Sequence, residues 1–218
     1  MPHYEILLRL CNDNGENVPP GAFLPAAERY GLASRIDRWV VSQVFKWISE
    51  HPRLSPEDCC FNINLSTQSL GDEPFQKFII DLFKSYRFPA QHFCFEITET
   101  AAIANLDVAR QFMQGLRDQG CRFALDDFGS GLSSYAYLRD LPVDYLKIDG
   151  SFIRNILADP VHLAMVRSIN DIGHVMGKQT VAEYVQDQAT IEKLAHLGVD
   201  YAQGYGIGHP MPLDSIFD

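Results

Sequence analysis

Two adjacent aspartates close an apolar run in Phe123-Ala124-Leu125-Asp126-Asp127-Phe128-Gly129-Ser130-Gly131. The run reads as a short buried strand and the glycines as the tight loop that follows it. Neighbouring carboxylates repel each other and resist burial. They stay ionised only with a positive group between them; otherwise one takes up a proton. Asp and Gly are also ordinary turn residues, so a solvated turn is the plain alternative. The rest of the chain decides between the two. Asn64, Glu96, Lys147, Glu183 and Gln203 each fall, like Asp126, at or near the C-terminal end of a different expected strand.

Glu96, Asp126, Asp127, Glu183 and Asn64 offer hard oxygen donors, which suit Mg²⁺ or Mn²⁺ and not zinc. With this many carboxylates, a pair of ions about 3.5–4 Å apart, bridged by one Asp, would stabilise the attacking and leaving oxygens of a phosphodiester. Lys147 would orient the water or neutralise phosphate charge. The seven histidines form no HExxH or HxH motif. There is no P-loop glycine cradle and no GxSxG elbow, which disfavours nucleoside triphosphate hydrolysis and serine-nucleophile chemistry. A barrel aldolase would need Lys147 desolvated with a lowered pKa, and the surrounding carboxylates push the other way.

The elements that must position these groups alternate along the chain. Tyr4–Leu10 reads as strand, with Glu5, Leu7 and Arg9 on one face. Helix follows around 25–30, and again from Ser34 to Ser49, where Ile36, Trp39, Val40, Val44, Trp47 and Ile48 keep a helical period and face the core. Strands over 59–66, 92–99, 123–126, 143–150, 179–183 and 201–205 are separated by helices over 75–86, 108–120, 134–140, 161–176 and 188–197. Such alternation implies a parallel sheet with crossover helices. The number of units favours a closed barrel over a doubly wound sheet, and no GxGxxG follows the first strand. In a β/α barrel all strand C-termini meet at one face, which carries the active site. Glu5 precedes its apolar run, so its strand is expected to run antiparallel to the others.

The chain has 218 residues, 46% of them hydrophobic, which is enough for one full core over residues 1–218. Its net charge of −10 disfavours coating a nucleic-acid polymer. An anionic substrate would need the local field inverted, and a bound divalent cation does that. The five cysteines, Cys11, Cys59, Cys60, Cys94 and Cys121, form no CxxC and sit mostly in apolar runs. They point to a reducing, cytoplasmic compartment without disulfides. The most apolar helical stretch, Trp39–Ile48, is too short and too interrupted to span a bilayer, so no membrane contact is expected from this domain.

Taken in order, Glu5-Ile6-Leu7-Leu8-Arg9, Asn64-Leu65-Ser66, Glu96-Ile97-Thr98-Glu99, Asp126-Asp127-Phe128-Gly129-Ser130-Gly131, Leu146-Lys147-Ile148-Asp149, Ala182-Glu183 and Gln203-Gly204-Tyr205 resemble the motifs of EAL-domain cyclic-di-GMP phosphodiesterases. Any one motif is weak; the ordered set is specific and covers nearly the whole chain. The resemblance implies an α/β fold, a modified TIM (β/α)8-type barrel with one antiparallel barrel strand, here N-terminally truncated. It implies hydrolysis of cyclic di-GMP to linear 5'-pGpG with two Mg²⁺ or Mn²⁺ ions, Ca²⁺ being inhibitory. By the same resemblance Glu5, Asn64, Glu96, Asp126, Asp127 and Glu183 match metal ligands, with Asp126 between the ions. Lys147, Glu183 and Glu5 match the catalytic groups, Lys147 positioning the hydrolytic water. Arg9, Leu7 and Gln203 match substrate-side positions. Glu99 matches the anchor of a loop, residues 127–134, that couples dimerisation to metal binding. A homodimer within a larger multidomain signalling protein is expected.

The chain also departs from the pattern. Ile6 replaces the Ala of the motif; by strand parity it points away from Glu5, so a packing change is expected without loss of a ligand. Tyr184 and Gln186 stand where the family often has Gly and Glu, and Gln186 carries no charge. The rival reading is a catalytically inactive cyclic-di-GMP receptor or interaction domain. Loss of ligands would mark it, and here the set is intact.

Overall fold

The computed structural model describes residues 2–51, 59–86, 88–131 and 135–216. In chain order the elements are β1 (His3–Ile6), β2 (Leu10–Cys11), β3 (Asn17–Val18), α1 (Pro20–Arg29), α2 (Ala33–Glu50), β4 (Cys60–Asn64), α3 (Thr67–Leu70), α4 (Glu73–Tyr86), β5 (Phe93–Thr98), α5 (Glu99–Ala104), α6 (Leu106–Arg117) and β6 (Arg122–Phe128). They continue with α7 (Tyr135–Leu138), β7 (Tyr145–Ile148), α8 (Gly150–Ile153), α9 (Pro160–Val175), β8 (Gln179–Ala182), α10 (Gln188–Leu197) and β9 (Tyr201–Ala202). Contacts group the chain into two compact units, Met1–Ile97 with Ala101–Phe123, and Thr98–Thr100 with Ala124–Asp218.

In the first unit β1, β4 and β5 pair in parallel. Strand alternation gives them two faces. Phe61, Ile63, Phe93 and Phe95, all fully buried, take one face. There Phe93 stacks on Phe45 of α2 with centroids 4.7 Å apart, and Phe83 of α4 meets Phe45 edge-on at 5.0 Å. The other face carries His3, Glu5, Asn62, Asn64, Cys94 and Glu96. On α2 the buried stripe is Asp37, Val41, Val44, Phe45 and Ile48. Trp39, expected in the core, is 54% exposed, because the stripe is phased on Asp37 and Val41, half a turn away. Asp37 earns its place inside by accepting from Ser66 N–H, Ser66 Oγ and Ser69 Oγ at 2.6–2.8 Å. Burial, the largest influence, still pushes its carboxyl above the usual range.

The strand that carries Glu5 does not run antiparallel as expected. β1 runs parallel to β4, with His3 opposite Cys60 and Ile6 opposite Ile63. Pairing stops at Ile6, so Glu5 already stands near the C-terminal end of its strand and needs no reversal. The antiparallel pairing among the described residues is the short ribbon of β2 with β3.

In the second unit β6, β7, β8 and β9 pair in parallel. Helix α9 lies close to them at Gly173, where a Cβ would sit 3.1 Å from Thr180 Cγ2 and 3.2 Å from a Leu146 methyl. Asn170 Oδ1 on the same helix accepts from Thr180 Oγ1 at 2.6 Å. Asp200, just before β9, accepts from Thr180 N–H at 2.7 Å and lies 2.8 Å from His174 Nε2. The side-chain carboxylates of Asp159 and Asp187 cap the N-termini of α9 and α10. Among the described residues no helix is long and apolar enough to cross a membrane.

Candidate metal and phosphodiester site

In the first unit the amides and carboxylates of that second face interlock. Asn64 Nδ2 donates to Glu5 Oε1 at 2.7 Å, and Asn62 Nδ2 donates to Glu96 Oε1 at 2.7 Å. Asn64 is opposite Glu96 in the β4–β5 register. Three of the expected ligands, Glu5, Asn64 and Glu96, are therefore brought together. Glu96 is 1% exposed. Asn62 was not among the expected residues, although its two-residue spacing from Asn64 places it on the same strand face. Leu7 and Arg9 lie beyond the end of β1 and are exposed; Arg9 Nη1 donates to the Leu8 carbonyl at 3.1 Å.

In the second unit the two aspartates sit where β6 departs from regular pairing. The register with β7 shifts between Leu125 and Phe128, and Asp127 has φ +54°. In a regular strand consecutive side chains point to opposite faces. A bulge with a left-handed residue breaks that rule and re-aims a side chain. The result is a cluster in which one carboxylate oxygen each from Asp126, Asp127 and Glu183 lie within 4.8 Å of one another.

Lys147 projects from the fully buried strand β7. Its Nζ lies 3.0 Å from Asp126 Oδ1 and 2.9 Å from Glu183 Oε1. A lysine 1% exposed is retained only where its charge is matched, and here two carboxylates match it. The contact with Asp126 is an ion pair by distance but lacks hydrogen-bond alignment. Asp126 Oδ1 is thus a buried acceptor without a hydrogen-bond partner. Partial burial, then the charges of Asp126 and Asp149, push the Asp127 carboxyl above its ordinary value. A divalent cation would satisfy the orphaned oxygen and offset that repulsion. The donors are oxygens throughout, which fits Mg²⁺ or Mn²⁺.

The supporting residues of this unit are close by. Gln203 N–H donates to the Ala182 carbonyl at 2.8 Å and its own carbonyl accepts from Val185 N–H at 2.9 Å, beside Glu183. Glu99, 3% exposed, accepts from Gly129 N–H at 3.1 Å and from the Tyr137 hydroxyl. It therefore holds both flanks of the loop after Asp127; residues 132–134 of that loop lie outside the described residues. Tyr184 follows Glu183 with φ +58° and lies under the Arg154 guanidinium at 3.8 Å from its ring centroid. A glycine at 184 would adopt that backbone without strain.

The described residues are thus a β/α chain with oxygen donors gathered at its strand ends, and the comparisons say which family has this pattern. The EAL domain family model matches residues 1–210, so the chain belongs to the EAL domain family. It is 46% identical over 211 residues to cyclic di-GMP phosphodiesterase PdeB of Shewanella oneidensis, covering 97% of this chain and 24% of that protein. It is 40% identical over 211 residues to cyclic di-GMP phosphodiesterase PdeF of Escherichia coli K12, covering 97% of this chain and 28% of that protein. The chain thus spans about a quarter of the length of these relatives. Among solved structures, the PaMucR phosphodiesterase in complex with c-di-GMP matches with a TM-score of 0.91 and 30% identity, over 98% of this chain and 86% of that one. The FimX EAL domain from Pseudomonas aeruginosa bound to c-di-GMP matches with a TM-score of 0.88 and 33% identity, over 95% of this chain and 83% of that one. The fold is the expected α/β, TIM-like one.

Proposed function

We propose that residues 1–218 act as one EAL-type domain that hydrolyses cyclic di-GMP to linear 5'-pGpG with two Mg²⁺ or Mn²⁺ ions. The observation that carries the proposal is the Asp126–Asp127–Glu183 oxygen cluster with Lys147 inserted between two of its carboxylates. The naming of PdeB and PdeF as cyclic di-GMP phosphodiesterases supports the substrate. When bound, the ions supply Lewis acidity for the water and the phosphodiester.

The chain's own residues do the rest. Asp126, Asp127 and Glu183 in the second unit, and Glu5, Asn64 and Glu96 in the first, are the proposed ligands. Lys147 orients the attacking water and meets the charge that develops on the phosphate. Its ammonium is already desolvated, so it is worth more there than an exposed lysine would be. Arg9, Leu7 and Gln203 are the proposed substrate contacts, and Glu99 the anchor of the 127–134 loop. The proposal extends to a homodimer, to a place within a longer signalling protein and to a cytoplasmic setting.

The test is incubation with cyclic di-GMP and Mn²⁺ and separation of the products. Formation of pGpG, lost in Asp126→Ala and in Glu5→Ala and suppressed by Ca²⁺, is expected. Binding of cyclic di-GMP without turnover by the folded protein would instead establish the receptor reading.

A further inference from the structure

The asparagines of β4 reach in opposite directions. Asn62 is opposite Glu5 on β1 and Cys94 on β5. Yet its amide reaches forward along β5 to Glu96, while Asn64 reaches back along β1 to Glu5. Each carboxylate flanking β4 is thus held by one amide of the central strand, through a diagonal contact of the kind that long polar side chains make across a sheet. Behind Asn62 stands His3, its Nδ1 3.2 Å from Asn62 Oδ1.

The direction of these bonds is fixed by chemistry. A carboxamide oxygen only accepts, so His3 carries its proton on Nδ1. That places the amide nitrogen, the only side-chain donor of Asn62, toward Glu96. Were the amide turned over, its oxygen would face a carboxylate oxygen 2.7 Å away, two acceptors in repulsion. Glu96, at 1% exposed, has little water to orient it. Metal-binding carboxylates depend on such outer partners for their orientation.

We propose that Asn62 is a positioning residue for the metal-dependent reaction: its amide, oriented by His3, holds the Glu96 carboxylate in the attitude in which it serves as a ligand. This rests on the reading of Glu96 as a metal ligand given above. Neither Asn62 nor His3 touches the reacting atoms; both act through Glu96.

The experiment is a Mn²⁺ titration of the folded chain, following free Mn²⁺ by electron paramagnetic resonance, with thermal unfolding of the metal-free proteins alongside. Asn62→Leu keeps the branched shape and removes the amide, and is expected to weaken Mn²⁺ binding by about 10- to 100-fold. His3→Phe, farther from the carboxylate, is expected to weaken it in the same direction by less, and His3→Gln, which retains a donor, to restore it. At saturating Mn²⁺ the turnover of both variants should return to within about threefold of the parent. Unchanged Mn²⁺ affinity in folded Asn62→Leu and His3→Phe overturns the proposal, as does a fall in thermal midpoint unaccompanied by weaker binding. Should Asn62→Leu not fold, His3→Phe decides alone. A parent chain that binds Mn²⁺ but forms no pGpG would overturn the hydrolytic reading, while the affinities would still judge Asn62.

Discussion

Lys147 is a buried cation whose neighbours are both proposed ligands. Removing it takes a donor from the reaction without taking a ligand from the metal. Lys147→Met is therefore expected to lower kcat by about 10²- to 10⁴-fold while KM stays within a few-fold, measured at saturating Mn²⁺. An equal change in KM would place Lys147 in substrate binding. Asp200 offers a residue-scale prediction about stability. Burial raises its carboxyl, but the Thr180 backbone N–H and His174 outweigh that, and the net shift is downward. A depressed carboxyl stabilises the fold above the unfolded pKa of about 3.9, and that contribution is lost as pH falls through the folded value. Asp200→Ala should cost about 1–3 kcal/mol in urea unfolding at pH 7, because Thr180 N–H loses its acceptor. The gap between variant and parent should narrow below about pH 4.

At the scale of elements, the site depends on where strands stop and where one bulges. The alternation of strands and helices was legible because its apolar periods are strong. The acidic and amide residues were legible because strand ends in a β/α fold are where such groups gather. The direction of β1 was not, because apolar residues continue to Leu10 while pairing ends at Ile6, and the pattern shows only the former. Trp39 misled for a similar reason: a helical period fixes spacing, while the phase is set by Asp37 finding its serine partners inside. The bulge that gathers Asp126 and Asp127 has no sequence signal beyond the doublet itself. A second backbone constraint lies beside Gln203. Gly204 has φ +145°, and a Cβ there would overlap the backbone nitrogen and oxygen of Val185. Backbone cannot give as a side-chain tip can, so Gly204→Ala should cost about 3 kcal/mol in urea unfolding.

For the molecule as a whole, a charge of −10 opposes an anionic ligand. Metal and substrate should then be linked: stripping divalent ions with EDTA should weaken cyclic di-GMP binding, read by calorimetry. Metal should also stabilise the fold by mass action. Mn²⁺ at a hundred times its Kd contributes about 2.7 kcal/mol, a rise in Tm of roughly 5–10 °C for a chain of this size. Asp126→Ala should abolish that rise in scanning fluorimetry.

The cysteines carry a practical corollary. Cys59, Cys60, Cys94 and Cys121 are buried and Cys11, on the β2–β3 ribbon, is exposed. Burial pushes the Cys60 and Cys121 thiols up to about 12, so neither presents a thiolate at neutral pH. Ellman's reagent should titrate one equivalent in the native protein and five in denaturant. A maleimide fluorophore added without any mutagenesis would then report from the ribbon alone, giving the unaltered chain a built-in handle for single-site spectroscopy.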